Sequence, residues 1–303
     1  MKYQRIDKGE KKMATGVPTN RTNITLPPEV SAEILAKTQE ESAVMQLARQ
    51  IALPGRGAAI PVITSDPEAD WVAETAAKPV SDPGLTTKIM SAYKLAVIVP
   101  FSNEFRRDAA GLYDELIRRL PLALAAKFDK TVLTGSAPGS NFDTFASCQS
   151  QEIGTDAYDG LVLADADIAS NGGILNGFAI SPQGKGCLLA AKDKNDRPLF
   201  INSVAEGAIP MVLGAPVKIT KGAYDSATAV VGVAGDWTQA MYGTVEGVQI
   251  GYSEDATLVA GESGSETYIN LFQQNMFAVR AEIEVGFRAD TDCFNLLTCT
   301  PSL

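Results

Sequence analysis

The longest regular pattern in the chain is a series of apolar residues spaced three or four positions apart between Ser102 and Gly135. This spacing places apolar side chains on one face of an α-helix. Ser102 is a favourable N-cap residue and Gly135 a favourable C-cap residue, so the pattern predicts one helix over residues 102–134, about 50 Å long and kinked or split at Pro121. The apolar positions are Phe105, Ala109, Leu112, Leu116, Leu120, Leu124, Phe128 and Val132.

Alternating patterns predict strands on both sides of this helix. Between residues 54 and 100, Gly, Pro and Asp divide the chain into short pieces, and the last piece alternates. Its apolar face comprises Ile89, Tyr93, Leu95, Val97 and Val99, and its polar face Lys88 and Lys94. We expect a long two-stranded excursion, which must pack on its own chain or on a neighbouring subunit because an isolated hairpin is barely stable in water. The clearest strand comes later, where alternate residues from Phe277 to Phe287 are apolar.

The remaining segments predict an α+β fold. Residues 13–27 are rich in Thr, Asn and Pro and predict an extended arm, followed by one or two short helices. Beyond residue 157, YDGLVLADADIAS predicts a helix, GFAISP a strand, and KGCLLAAKDKNDRPLF a helix and a turn. LGAPVKIT, AVVGVAGDW and GTVEGVQIGYS predict further strands, so helix and strand alternate here.

Composition argues against most enzyme classes. The chain has no His, which removes the commonest acid-base residue and the commonest nitrogen ligand for metals. The nucleophile elbow, the phosphate loop, the dinucleotide fingerprint and the calcium loop are each absent or incomplete in the sequence. We therefore expect no catalytic, metal or cofactor site. An α+β cytosolic enzyme that uses Lys and carboxylates remains an alternative.

The cysteines and the termini indicate a protein made in the cytosol. Cys148, Cys187, Cys293 and Cys299 form no CxxC pair, and we expect them to be small buried thiols in a reducing compartment. No stretch resembles a membrane span or a secretory signal, so we expect no membrane partner. The sequence leaves open whether translation starts at Met1 or at Met13.

Charge is unevenly distributed along the chain. The net charge of −10 divides into +3 for residues 1–12, −1 for residues 13–135 and −12 for residues 136–303. An acidic second half argues against sequence-specific nucleic-acid binding. The basic residues of the predicted helix form either a solvated, ion-paired face or a surface toward packaged nucleic acid or a neighbour. They are Arg106, Arg107, Arg118 and Arg119.

Several short strings, in their order along the chain, resemble those of tailed-phage major capsid proteins with the Hong Kong 97 fold. They are WVAE, VPFSNEFRRDAAGLYDEL, AAKFDKTVLTGSAPGS, GFAISP, KDKNDRPLF, LGAPV, GDWTQAMYG and FQQNMFAVRAEIEVGFRADTDCF. The resemblance covers nearly the whole chain. It implies an N-terminal arm, an E-loop hairpin, a P-domain with a long spine helix and a mixed α/β A-domain.

The resemblance also implies domain boundaries. The arm with its short helices spans 1–53, the E-loop hairpin 54–100, the spine helix and following loop 101–157, the A-domain 158–272, and the returning strand with the C-terminus 273–303. In this interpretation the protein is no enzyme. Its copies assemble in the host cytoplasm into pentameric and hexameric capsomers, and these close into an icosahedral head around double-stranded DNA.

Candidate contact residues follow from this interpretation. We expect inter-subunit contacts at Trp71, Glu74, Lys88, Tyr93 and Lys94, and inner-face charges at the four arginines above. DNA contacts would be non-specific, and scaffolding, portal and decoration proteins are implied partners. An encapsulin-like bacterial nanocompartment is the alternative within this fold.

Some members of the resembled family also join subunits by a Lys–Asn isopeptide bond. Lys78, Lys88 and Lys94 lie in the predicted hairpin and Asn295 lies near the C-terminus. No local motif identifies a pair.

Overall fold

The computed structural model describes residues 38, 42–55, 57–65, 71–72, 84–103, 109–192, 197, 199–200, 211–260 and 267–299. Its helices are α1 (Ala43–Leu47), α2 (Ala109–Leu133), α3 (Ala157–Ser170) and α4 (Pro182–Ala190). Its strands are β1 (Arg49–Ala52), β2 (Ala58–Ser65), β3 (Gly84–Met90), β4 (Tyr93–Ser102), β5 (Gln149–Glu152), β6 (Gly177–Ile180), β7 (Met211–Val212), β8 (Ala215–Ile219), β9 (Val230–Gly235), β10 (Ala240–Thr244), β11 (Gln249–Ser253), β12 (Thr257–Ala260), β13 (Thr267–Asn270), β14 (Met276–Ala289) and β15 (Phe294–Thr298).

Strand β14 organises a five-stranded sheet. It pairs antiparallel with β4 along most of its length, from Met276 opposite Ser102 to Val285 opposite Tyr93. On its other edge, β11 and β10 pair antiparallel with successive parts of β14, and β1 adds parallel to β10. The predicted alternation of β14 is confirmed, because its odd-numbered residues from Phe277 to Phe287 are buried.

One face of this sheet packs on helix α2. Leu120 and Leu124 of the helix pack in one apolar cluster with buried residues of β14 and partly buried residues of β4. The helix and the sheet thus remove each other's apolar side chains from water. The sheet residues of this cluster are Phe277, Val279, Ala281, Ile283, Leu95, Val97, Val99 and Phe101.

A second, six-stranded sheet has the strand order β5-β15-β9-β6-β8-β7. Helix α3 covers it with an apolar stripe of Leu161, Ala164 and Ile168, and α4 packs beside β6 and β9 through Leu188. Asp156 caps α3 by accepting a hydrogen bond from the backbone N–H of Asp159 at 3.3 Å.

An aromatic cluster joins the two sheets. Phe145 stacks on Phe294 of β15 with ring centroids 4.3 Å apart, and it meets Phe287 of β14 edge-on at 5.6 Å. Trp237 contacts both Phe145 and Phe294. Aromatic contacts of this kind add about 0.5–1.5 kcal/mol each beyond the area they bury. The cluster therefore anchors the loop before β5 between the sheets.

The long helix is described from Ala109 to Leu133, and its 25 residues span about 37 Å. Residues 104–108, where the predicted helix would start, lie outside the described residues. Ser102 is the last residue of β4, where its backbone pairs with β14. The helix is continuous through Pro121.

The hairpin is also shorter than predicted. β2 and β3 pair antiparallel from Ala58 opposite Met90, and the chain then turns so that β4 enters the five-stranded sheet. The alternating piece from Tyr93 to Val99 thus belongs to that sheet, because β14 offers it a longer partner than β2 does. At the other end of the chain, β15 lies in the six-stranded sheet.

The expectation of four free thiols is wrong. Cys187 and Cys299 form a disulfide with their Cα atoms 6.8 Å apart, while Cys148 and Cys293 are free. The spacing of 112 residues gave no sign of this pair, which only the packing of α4 beside the end of β15 creates.

Candidate assembly surfaces

The β2–β3 hairpin exposes large apolar side chains. Trp71, which lies between the two strands in sequence, is 100% exposed, and Val72 and Ile89 are also exposed. In the described residues the hairpin forms a two-stranded sheet of its own. Burial of an indole removes roughly 150 Å² or more from water, worth about 4 kcal/mol at the usual coefficient. The tryptophan is therefore a candidate anchor for another surface.

The base of the hairpin is fixed to β14. Lys88 donates from Nζ to the carbonyl oxygen of Ala289 at 3.3 Å, and Arg288 donates from Nε to the carbonyl oxygen of Ile89 at 2.8 Å. Gly57 has φ +84°, and a Cβ there would lie 2.6 Å from the carbonyl oxygen of Met90. Only glycine fits this turn without strain.

Arg288 also holds the loop that follows α2. Its Nη1 lies 2.6 Å from Oδ1 of Asp143, and its Nη2 donates to Oδ1 of Asn141 at 3.2 Å. Both charged side chains are largely buried, which makes this pair stronger than a surface ion pair.

Tyr93, predicted as an inter-subunit contact, is half-buried against this same loop. Its ring meets Phe142 edge-on at 5.9 Å, and its hydroxyl accepts a hydrogen bond from the backbone N–H of Asn141 at 3.3 Å. The described contacts of Tyr93 thus lie within its own chain.

Lys94 lies on the solvent face of the five-stranded sheet. Its Nζ is 3.5 Å from Glu282 and 3.6 Å from Glu284, and Arg280 pairs with Glu282 at 2.8 Å. Lys94 and Arg280 are about half-exposed, so water screens these pairs and each contributes about 0–1 kcal/mol, although the Glu282 side chain is only 13% exposed. This face carries mixed charge. Glu74, the remaining predicted contact, lies outside the described residues.

Helix α2 carries a basic face, defined here as its exposed charged residues Arg119, Lys127 and Lys130. Small residues, among them Ala123 and Ala126, separate them. Of the predicted inner-face charges, Arg119 lies on this face. Arg118 lies in the helix but its side chain is outside the described residues, as are Arg106 and Arg107 altogether.

Lys221 extends the basic face onto the neighbouring turn. Gly222 brings this turn so close to α2 that a Cβ would lie 2.7 Å from the backbone N of Lys130. Hydrogen bonds from the Thr228 side chain and from backbone N–H groups, together with Lys130, lower the pKa of Asp225 beside it. The basic face is thus flanked by a carboxylate that is ionised at neutral pH.

Asp129 forms a buried junction that sequence reasoning missed. It is 0% exposed, and its carboxylate accepts hydrogen bonds from Ser42 Oγ at 2.6 Å, Thr220 Oγ1 at 2.7 Å, and the backbone N–H groups of Ala43 at 3.0 Å and Val44 at 3.3 Å. One side chain therefore ties α1, α2 and the six-stranded sheet together. The available signal was an aspartate beside Phe128, on the apolar side of a helical pattern.

Burial raises the pKa of Asp129 above its ordinary value of 3.8, and the hydrogen bonds from Ser42, Thr220 and the α1 backbone oppose that rise. The carboxylate serves as an acceptor for the start of α1, since Ser42 caps that helix through Met45 N–H. This arrangement is structural.

Among the described residues, no group of three His, Cys, Asp or Glu side chains is placed to hold a metal ion. No described helix combines the length and the apolar character that a bilayer crossing requires. Asn295, considered above for an isopeptide bond, is 0% exposed. Its Nδ2 donates to Ala164 O at 3.1 Å and to Asp167 Oδ2 at 2.9 Å, so a lysine of another subunit cannot reach it in this fold.

Comparisons with known proteins agree with this architecture. The family described as "Phage capsid family" matches residues 22–292. The probable major capsid protein gp17 of Mycobacterium phage L5 is 30% identical over 296 residues, covering 90% of this chain and 89% of the relative. The major capsid protein of Staphylococcus phage 80alpha is 24% identical, covering 88% and 82%.

Solved structures show the same fold. A chain from Gordonia phage Cozz superposes with a TM-score of 0.68 at 21% identity, covering 86% of this chain and 87% of that one. A chain titled as the capsid of a native GTA particle, computed with C5 symmetry, gives a TM-score of 0.58 at 18% identity, covering 98% and 96%.

Proposed function

The chain belongs to the phage capsid family, and from this premise we propose that it is the major capsid protein of a tailed phage, whose copies close into the icosahedral head around the genome. Its fold is the α+β Hong Kong 97 fold. The observation that carries the proposal is the match to major capsid proteins over nine-tenths of the chain. The encapsulin-like and enzymatic alternatives gain no support from the relatives.

The hairpin supports an assembling role. Its base is hydrogen-bonded to β14, whereas Trp71 is fully exposed. A hairpin built in this way can bury its apolar side chains on a neighbouring copy, and symmetric repetition multiplies the energy of each such contact. We assign inter-subunit contacts to Trp71, Glu74 and Lys88, with Lys94 at the sheet face and Tyr93 positioning the adjoining loop.

The homo-oligomer is a set of pentameric and hexameric capsomers in this proposal. The GTA structures, titled as capsids with C5 symmetry, support a shell of this kind by their fold. Scaffolding, portal and decoration proteins complete the particle. Assembly takes place in the host cytoplasm and the finished protein resides in the virion, where its role is structural rather than catalytic.

The basic face of α2 is the surface that we assign to the packaged DNA. Arg119, Lys127, Lys130 and Lys221 present positive charge on one side of the subunit, in a chain whose net charge is −10. Phosphate contacts of this kind are independent of sequence and weaken with salt. Of the four arginines predicted as inner-face charges, Arg118 and Arg119 belong to the same helix, and Arg106 and Arg107 lie outside the described residues.

Replacement of Trp71 tests the shell proposal. We expect Trp71→Ala to lower the yield of particles at least tenfold, because each subunit loses a contact worth about 4 kcal/mol, while the soluble subunit keeps its circular dichroism spectrum and melting temperature. Trp71→Phe is the matched control and should retain most of the yield. Negative-stain microscopy and sedimentation measure the result. Wild-type yield from Trp71→Ala would contradict this anchor.

A further inference from the structure

The disulfide between Cys187 and Cys299 joins two distant parts of one core. Cys187 lies in α4, and Cys299 follows β15, which is hydrogen-bonded between β5 and β9. The bond closes a loop with a sequence separation of 112 residues. Both cysteines lie among the buried apolar residues under α3, with Leu188 and Leu297 nearby in the cluster.

The other two cysteines are held as thiols. Cys148 donates from Sγ to the carbonyl oxygen of Thr291 at 3.3 Å, and burial, assisted by the charge of Asp292, raises its pKa to about 12. Burial and nearby carboxylates also raise the pKa of Cys293. Since the thiolate is the reactive form, neither sulfur is prepared for exchange. The four cysteines therefore fall into two groups: Cys187 and Cys299 form a disulfide, and Cys148 and Cys293 are unreactive thiols.

We propose that Cys187 and Cys299 form a staple that is made only after assembly: the chain folds and assembles as a dithiol, and the bond forms when finished particles leave the reducing interior of the host. The proposal rests on the proposed function, because only a released particle moves from a reducing to an oxidising environment. Formation after release explains how a protein made in the reducing cytosol can contain a disulfide, since the fold already places the two sulfurs at bonding distance.

The chemistry is a thiol–disulfide exchange with a small-molecule disulfide such as oxidised glutathione. Cys187 is only partly buried whereas Cys299 is 3% exposed, so Cys187 is the sulfur that the oxidant reaches. Its thiolate attacks one sulfur of the oxidant and expels one thiolate. Cys299 then loses its proton, attacks Sγ of Cys187 and expels the second thiolate. The protein loses two electrons, and the two cysteine protons pass to the two released thiols.

The expected consequence is a more stable six-stranded sheet. A cross-link that closes a loop of this length removes a large part of the conformational entropy of the unfolded chain. For a chain of this size we expect the melting temperature to rise by about 5–10 °C on oxidation. Formation after assembly leaves the chain unconstrained while it folds.

Thiol trapping tests the timing. Expressing cells and, separately, purified particles incubated with oxidised glutathione are dissolved in a denaturant that contains iodoacetamide, so that buried thiols are alkylated as well. Non-reduced peptides are then analysed by mass spectrometry. We expect alkylated Cys187 and Cys299 from the cells, and the linked peptide from the oxidised particles. A linked peptide from the cells would overturn the timing, and alkylated cysteines in the oxidised particles would overturn the staple.

Melting measurements test the stabilisation. Reduction by dithiothreitol should lower the melting temperature of oxidised wild type but not of Cys187→Ser or Cys299→Ser, and Cys148→Ser should behave as wild type. Equal melting of reduced and oxidised wild type would overturn the staple. Cys187→Ser and Cys299→Ser should both assemble normally. If these two variants alone fail to assemble, the bond is needed before assembly and the proposed order is wrong. If wild type forms no particles, the shell proposal fails, while exchange on the soluble chain still decides whether the two sulfurs pair.

Discussion

Replacement of Asp129 tests whether one buried carboxylate holds three segments together. Asp129→Ala leaves four donors without their acceptor, namely the Ser42 and Thr220 hydroxyls and the N–H groups of Ala43 and Val44. A buried unsatisfied donor costs about 1–3 kcal/mol, and loss of the buried charge offsets part of this sum. We expect the free energy of unfolding to fall by about 3–5 kcal/mol.

Asp129→Asn is a sharper variant because it keeps the volume of the side chain. The carboxylate divides its donors evenly, since Oδ1 accepts from Ser42 and Val44 and Oδ2 from Thr220 and Ala43. The amide nitrogen must replace one oxygen, so in either orientation it faces one backbone N–H group. The hydroxyl beside it can rotate and accept, but the N–H cannot. We expect a loss of about 1–3 kcal/mol.

Urea denaturation of the soluble subunit measures both variants, with the fluorescence of buried Trp237 as one signal and far-ultraviolet circular dichroism as a second. Asp225→Asn is the control, because that carboxylate is near the surface and its hydrogen bonds are local. It should change stability by less than about 0.5 kcal/mol. A loss below about 1 kcal/mol for Asp129→Ala, or an equal loss for the control, would show that the junction is not a principal tie.

The pH dependence gives an independent check on the same residue. Because burial raises the folded-state pKa of Asp129 above 3.8, the protonated carboxyl is favoured in the folded state. Wild-type stability from this group is complete below pH 3.8 and falls as pH rises through the folded-state pKa. Asp129→Asn lacks this titration, so the stability gap between the two proteins should narrow with rising pH across that window. A gap that widens would contradict the direction of the shift.

The remaining predictions concern packing, charge and the loop after α2. Gly222→Ala should destabilise the subunit by about 1–3 kcal/mol in urea denaturation, because its Cβ would meet the α2 backbone at Lys130. Lys127→Glu combined with Lys130→Glu should preserve empty shells but lower the yield of DNA-filled particles on a density gradient. Arg288→Ala should cost about 2–4 kcal/mol, measured by thermal unfolding, because the largely buried Asp143 loses its cation and keeps the backbone N–H of Ala289 as a donor.

Each of these has a contrary outcome. If Gly222→Ala is as stable as wild type, the turn that contains Gly222 can shift away from α2 at no cost and the close contact is not required. Lys185→Glu combined with Lys192→Glu is the matched charge control, because it makes the same change of charge in and just after α4, and an equal loss of filled particles from it would remove the special role of α2. Arg288→Lys should regain part of the stability that Arg288→Ala loses, because it restores a positive charge beside Asp143. If it regains none, the charge of Arg288 is not what stabilises this loop.

Helices and strands could be predicted where the spacing of apolar residues within a single element determines which side chains are buried. The alternation from Phe277 to Phe287 identified β14, because a long strand with one face on a helix must bury every second residue. The helical period identified the second half of α2, where Leu120, Leu124 and Phe128 are buried. Both patterns come from periodicity within a single element.

Features that depend on partners distant in the chain were not predictable. Strand β4 continues to Ser102 because β14, a distant part of the chain, pairs with it there. Cys187 and Cys299 meet only because α4 and β15 pack together. Asp129 was hidden because its donors lie 85–91 residues away. The candidate contact residues, by contrast, remain predictions that assembly experiments must test.

The connection between the hairpin and the two sheets has a mechanical consequence. The hairpin base is bonded to Arg288 and Ala289 at the end of β14, and only Asp290 and the short turn Thr291–Cys293 separate that point from β15. In the proposed shell, a load that a neighbouring subunit places on the hairpin would pass along this path into β14 and β15, one strand in each sheet. Pulling such a subunit apart would shear the antiparallel ladder of β14 with β4, the direction in which hydrogen bonds must break together instead of one after another.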